Sequence, residues 1–479
     1  MATVAVGAVF GLGPSTAAGQ SHPTCASPTT HGAAKGWKVA DPGCEYDYIT
    51  NAYTATFGPL ATSSGKALSD TYVGTSDQAA YRIEVPKAWN GDLVLYSHPY
   101  RGLGNVVWVD SPALRSWFIS HGFAWAASSF AANGYDIGQG VTDTHNLLAV
   151  FRARVHRAPK AVYLTGKSMG GQVAAVAAEH FKGAFAGVMT TCAPLADTQL
   201  YDYYLGVDTT AADLTQTPIS FPAHSSIASV LQYEANVAAR TLPGLGSGFL
   251  TPAGPASSDL TAAGKAWERA VGYLSGGSRW GFDSAFAYWN STSYGPLEGM
   301  PTLFDVYPGL DGGTIGIAPG NVVTNIGVTY RVDGATPPTP ADRALDAGVL
   351  RVRATTTSPA GSLSGIPVVQ GDPGIPVLAL FGTGDLFVPL SMGQDYAQRM
   401  AAHGESKLFV ARSIREVTHC GFSNAELSQG FSSLVSWARS GRPAAGDDIT
   451  SPVAVDSPTF GCGFTDGSHP RFHGPPCPK

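Results

Sequence analysis

Between Gly91 and Thr190 the chain alternates short runs of β-forming apolar residues with stretches of helical pattern, the form that a parallel sheet covered by helices takes in a sequence. Asp92–Ser97 (DLVLYS) is the first strong buried strand and Phe123–Phe130 (FAWAASSF) the next, with Lys160–Thr165 (KAVYLT) and Phe185–Thr190 (FAGVMT) following. Thr142 or Asp143 is placed to cap a helix that runs to about His156 and ends before Pro159, and Met169–Phe181 has the Ala and Val content of a helix packed on a sheet. The alternation stops from Cys192 to Gly365, then resumes with the strand Ile375–Gly382 (IPVLALFG). A helix near Met392–Ala402, a strand near Lys407–Arg412 and a final helix complete it, the last opened by the capping-box pattern Ser423, Asn424, Ala425, Glu426.

The sharpest motif is Gly166-Lys167-Ser168-Met169-Gly170-Gly171, between KAVYLT and the Ala-rich helix. At a strand-to-helix turn the serine is forced into strained dihedrals and small neighbours avoid clashes, so Ser168 Oγ stands exposed at a helix N-terminus whose dipole favours a developing oxyanion. A serine hydroxyl needs a base to take its proton, and the base needs a carboxylate to orient it. Asp385, in Gly382-Thr383-Gly384-Asp385, lies just beyond the C-terminal end of IPVLALFG, where open parallel sheets carry their functional loops. His419, in Thr418-His419-Cys420-Gly421, follows the last strand. Asp372 precedes its strand and belongs at the other end of the sheet, and His156 and His180 fall late on helices. The backbone N–H of Met169 is one oxyanion donor. After DLVLYS comes His98-Pro99-Tyr100-Arg101-Gly102, where Pro99 has no N–H, so Tyr100 is the second donor and His98 a structural hydrogen-bond partner.

These residues, GKSMGG, then GTGD, then THCG, with HPYRG upstream, resemble the α/β-hydrolase superfamily over about residues 90–190 and 370–440. The resemblance implies an α/β fold with a mostly parallel eight-stranded sheet flanked by helices and interrupted by a large cap insertion. It also implies an acyl-enzyme mechanism with Ser168 as nucleophile, His419 as base and Asp385 as acid, needing no metal or organic cofactor. His-Pro in place of the family's frequent His-Gly, and the length of the insertion, keep the substrate open. A carboxylic ester, small or polymeric, is the first expectation and a peptidase on the same three residues the second. A peptidase needs a site for a charged chain terminus, for which the insertion offers Glu234, Glu268 and Asp283 without an evident cluster. A haloperoxidase-like or lyase activity, or a binding protein that keeps the fold, belongs to other classes, since fold does not fix function.

The expected organisation is a secretory leader over 1–18, an N-terminal extension over 19–70, core over 71–191, a cap or lid over 192–365, core again over 366–442 and a tail over 443–479. The leader rests on the apolar run Ala5–Leu12 and the small residues Ser15–Gly19, although a basic n-region is missing. Six cysteines, an even number, fit a secreted protein. Cys25 with Cys44, and Cys462 with Cys477, each flank a segment without regular pattern. Cys192 and Cys420 are left either as a disulfide near His419 or as two buried thiols. In the insertion, Trp280, Phe282, Phe286, Tyr288 and Trp289 form either a small cap core or a wall facing substrate.

Composition narrows the remaining classes. A chain of 479 residues with 44% hydrophobic content holds one large core of ~250 residues and an insertion besides. Charged residues make up only 13%, against ~25% in an average domain. The net charge is −6 and Lys and Arg nowhere cluster, so there is no electrostatic footprint for nucleic acid or an anionic membrane. No run approaches the ~18 apolar residues of a membrane span.

Overall fold

The computed structural model describes residues 25–47, 52–102, 104–221, 227–292, 300–306, 322–355 and 366–478. The expected leader, 1–18, and the proposed end of the insertion at Gly365 lie outside the described residues.

Eight strands form the central sheet. In chain order they are β1 (Ser69–Ser76), β2 (Ala79–Pro86), β3 (Asp92–Ser97), β4 (Ala124–Ser128), β5 (Ala161–Lys167), β6 (Gly187–Thr191), β7 (Val377–Gly382) and β8 (Phe409–Ile414). Across the sheet they lie in the order β8-β7-β6-β5-β3-β4-β2-β1. All pairings from β3 to β8 are parallel, and β2 is antiparallel to both its neighbours. This order, with β2 reversed and the crossovers carried by helices, is the α/β-hydrolase fold. β3, β5, β6 and β7 read as continuous apolar runs because helices cover both of their faces.

On one face lie α2 (Ile137–Val155), α3 (Met169–His180) and α7 (Ser391–Ala402), packed on Leu93, Leu95, Leu164 and Val377. On the other, α1 (Arg115–Ser120) and α8 (Asn424–Ser440) bring Phe118, Phe431 and Leu434 against Val94, Tyr163 and Leu378. Between β6 and β7 the chain adds α4 (Gln199–Thr215), α5 (Ala262–Leu274) and α6 (Phe282–Trp289). Their aromatic residues Trp267, Phe286 and Trp289 are fully buried and belong to the same core as the first sheet face, while Trp280 is 51% exposed. The insertion therefore shares the main core through these rings, and a smaller cluster of its own gathers Ala270, Tyr330, Val332, Leu345 and Val349. Trp289 is an interior residue of this core. Among the described residues no helix is long and apolar enough to cross a membrane.

Two sequence expectations change. α2 starts at Ile137, a turn and a half ahead of Thr142, because Asp136 caps it, its Oδ1 accepting the Gln139 N–H at 3.0 Å. Asp143 instead accepts the Ala131 N–H at 2.8 Å from within the helix. The sheet also begins two strands before Asp92. β2 contains Arg82 and Glu84, which interrupt any apolar run, and both are buried because Glu84 accepts from Arg82, Arg115 and the Trp125 indole. The capping box at α8 forms as expected: Ser423 Oγ accepts the Glu426 N–H, and Glu426 Oε2 accepts the Ser423 N–H at 2.7 Å.

Candidate active site

The turn from β5 into α3 is built by its glycines. A Cβ on Gly166 would lie 2.0 Å from Gly170 O, and one on Gly170 would lie 2.1 Å from Ser97 O. Only hydrogen at these two positions lets the strand double back into the helix and lets the loop after β3 pack against it. Ser168 between them has φ 55° and ψ −125°, a left-handed-side backbone that costs a non-glycine residue on the order of 1–3 kcal/mol and is held by Ser168 N–H to Thr191 O at 2.9 Å.

His419 stands over this turn. Its Nε2 is 2.8 Å from Ser168 Oγ and its Nδ1 is 2.6 Å from Asp385 Oδ2. The three side chains come from three separate β–α connections and are 8% (Ser168), 6% (His419) and 1% (Asp385) exposed as residues. Asp385 Oδ1 accepts the N–H groups of Phe387 at 2.9 Å and Val388 at 3.0 Å, so the carboxylate is clamped with Oδ2 aimed at the imidazole. Asp372 lies at the opposite end of β7, paired with Lys182 at 2.7 Å. His156 and His180 are exposed at helix ends.

Several groups outside this trio hold it. Trp289 Nε1–H lies 2.9 Å from Gly384 O and 3.0 Å from Val417 O, one carbonyl from the Asp385 turn and one from the His419 loop. Its ring stacks on Phe387 at 6.0 Å, and Phe387 meets the His419 ring edge-on at 5.0 Å. The buried Arg279 donates from Nε to Thr383 O at 2.5 Å and from a terminal nitrogen to Ser275 Oγ at 3.0 Å, bracing the Asp385 turn. Glu416 Oε1 accepts the N–H groups of Val417 at 2.7 Å and Thr418 at 2.6 Å. Of these, only Trp289 stood out in the sequence, and for a different role. Arg279 and Glu416 carry no signal beyond their charge.

The Tyr100 loop lies against the turn, and the Tyr100 ring is 6.3 Å from that of Tyr135, whose hydroxyl donates to Gln172 on α3 at 2.8 Å. His98 is buried with Nδ1 2.7 Å from Pro99 O and Nε2 3.1 Å from Ser129 O. Burial, and then the Arg101 guanidinium, push its pKa down to about 3, and the ring ties the loop after β3 to the one after β4. In the insertion, burial and then the nearby Asp283 carboxylate push Glu268 up to about 7.

All six cysteines are paired: Cys25–Cys44, Cys192–Cys420 and Cys462–Cys477. Among the described residues, the one group with metal-ligand proximity is Cys192, His419 and Cys420. Both sulfurs are in the disulfide and both ring nitrogens of His419 are engaged, which leaves no thiolate to a metal.

Fold and site together define the class: this is a protein of the α/β-hydrolase fold with a serine, a histidine and an aspartate in hydrogen-bonded series at the C-terminal edge of its sheet. No protein-family profile and no curated protein sequence matches the chain. Solved structures similar to it include feruloyl esterase B from Aspergillus oryzae, at 15% identity over 82% of this chain and 88% of that one, with a TM-score of 0.42. An esterase from Aspergillus oryzae is similar at 12% identity over 79% and 81%, TM-score 0.38. The rice cell wall degrading esterase LipA from Xanthomonas oryzae is similar at 13% identity over 78% and 89%, TM-score 0.35. At these values the assignment of the fold rests on the chain's own strand order, and no substrate is carried across.

Proposed function

We propose that the chain is a secreted serine hydrolase that cleaves carboxylic esters through an acyl-enzyme on Ser168. The observation that carries this reading is the unbroken series from Asp385 Oδ2 through both nitrogens of His419 to Ser168 Oγ, at 2.6 and 2.8 Å. His419 Nε2 takes the Ser168 proton as Oγ attacks the ester carbonyl, and Asp385 holds the Nδ1–H tautomer and steadies the imidazolium. The N–H groups of Met169 and Tyr100 receive the oxyanion. His419 then returns the proton to the departing alkoxide, and a water molecule repeats the sequence on the acyl-enzyme to release the acid. None of these steps calls for a metal or organic cofactor.

Segment 192–365 acts in this reading as a cap that limits substrate size, with small-molecule or polymeric esters as substrates. Three disulfides support an oxidising, extracellular setting. The test is a panel of p-nitrophenyl esters of graded acyl length beside aminoacyl-p-nitroanilides. Ester turnover that vanishes in Ser168→Ala is the expected result. Preferential turnover of the anilides would replace the ester reading with a peptidase.

A further inference from the structure

The loop that carries His419, residues 415–421 between β8 and α8, is held on its inner side by Trp289 and the Cys192–Cys420 disulfide. Its outer side is held by the C-terminal tail. Glu416 spends Oε1 on the N–H groups of Val417 and Thr418, and its Oε2 lies 2.5 Å from His469 Nδ1. The other nitrogen of His469 is 2.8 Å from Glu426 Oε1, on the first turn of α8. That same oxygen accepts the Asp466 N–H at 2.8 Å, and Ser423 Oγ donates to Asp466 O at 2.7 Å. The neighbouring Arg415 is bound the same way. Its N–H reaches Thr465 Oγ1 at 2.9 Å, and its guanidinium donates to the carbonyls of Phe460, Pro458 and Pro475. Cys462–Cys477 closes the tail around that guanidinium.

From this arrangement we infer that the tail from Pro458 to Cys477 is a strap that sets the position of His419, with His469 as its positioning residue. His469 touches neither Ser168 nor the reacting atoms and acts through Glu416. A ring with a carboxylate on each nitrogen donates twice and is therefore an imidazolium. Its bonds to Glu416 and then Glu426 push its pKa up to about 9, and its side chain is only 6% exposed. Without the cation, two buried carboxylates face one another across its place, and the one bonded to the backbone of the His419 loop is repelled. The strap matters to catalysis because a general base works over a narrow range of distance and angle, and an error of about 1 Å costs ~10²-fold.

This inference rests on the reading of His419 as the base, so its test has one arm that does not depend on turnover. In His469→Gln, which donates to a single carboxylate, kcat for p-nitrophenyl esters should fall ~10-fold, with KM within about twofold of the parent, as expected for a misplaced base and intact substrate binding. Amide hydrogen exchange of residues 415–421 should speed up while β5 and α3 keep their protection. Should that variant not fold, Thr465→Ala, which removes one bond to Arg415, is expected to show both effects at smaller amplitude. Unchanged exchange in 415–421 overturns the strap whatever the rates do, and faster exchange with unchanged kcat overturns its positioning role. A parent protein with no ester turnover counts against the proposed function alone, and the exchange arm still decides the strap.

Discussion

Cys192, the first residue after β6, is bonded to Cys420, the residue that follows His419, with Cα atoms 5.3 Å apart. The backbone N–H of Cys192 is also tied to Leu380 O in β7 at 2.9 Å, so the disulfide anchors the His419 loop to the rigid centre of the sheet. The paired Cys192→Ser, Cys420→Ser change should leave the sheet folded and lower kcat by as much as ~10²-fold through a displaced imidazole. Kinetics beside near- and far-UV circular dichroism check this, and full activity in the double variant would reduce the bridge to a purely structural one.

Ser168→Ala and His419→Ala are each expected to lower kcat by ~10³-fold or more, as members of one unit do. Asp385→Asn should also be severely impaired, since the amide favours the wrong tautomer. Asp372→Asn, on the far side of the sheet and paired only with Lys182 among the described contacts, should stay close to the parent. A folded, highly purified Ser168→Ala protein that still turns over ester would refute the nucleophile.

Trp289→Phe keeps an aromatic ring against Phe387 and deletes the N–H shared by Gly384 O and Val417 O. Leaving two buried carbonyls without their donor should cost about 1–3 kcal/mol in urea unfolding and slow turnover, with selectivity among acyl lengths unchanged. Trp289→Ala adds a cavity and should cost about 3–5 kcal/mol. A shift in acyl-chain preference without loss of stability would return Trp289 to the substrate wall.

Stability should peak at mildly acidic pH. Burial first, against bonds from the Gln370 and Gly371 N–H groups, pushes Glu179 up from 4.5 to about 7, and burial pushes Asp143 up from 3.8 to about 6. Both bind protons more tightly folded than unfolded. Their contribution is present below the unfolded values and is lost as pH rises through about 6 to 7. His469, raised from 6.5 to about 9 by Glu416 and then Glu426, contributes below 6.5 and loses that contribution as pH rises through about 9. Glu416 and Glu426 run the other way. Burial alone would raise them, but bonds from His469 hold both below 4.5, so their contribution is lost as pH falls below that value. Urea midpoints should therefore be highest between about pH 4.5 and 6 and lower at pH 8.5. A midpoint that climbs steadily from pH 5 to 8.5 would contradict the signs.

By itself the sequence determines the helix-covered parallel sheet from Asp92 onward, because strands buried on both faces must be apolar throughout and leave an unmistakable run. It also singles out Ser168, Asp385 and His419 by their places at strand ends. The outer cysteines each flank a segment without regular pattern, which suggests their pairing, but six cysteines allow 15 connectivities and only the structure joins Cys25 to Cys44 and Cys462 to Cys477. What is not local stays hidden. β2 is invisible as a buried strand because its Arg82 and Glu84 are tolerated only through Arg115 and Trp125, which arrive from elsewhere. The start of α2 depends on which of several aspartates finds a free N–H. Trp289 is legible as an aromatic but not as the donor shared by two loops, and His469, fifty residues beyond His419 in a tail without pattern, gives no sign of the carboxylates it joins. Hydrogen bonds between residues far apart in the chain have no period and no spacing, so only the tertiary structure decides which charges are paired and what they hold in place.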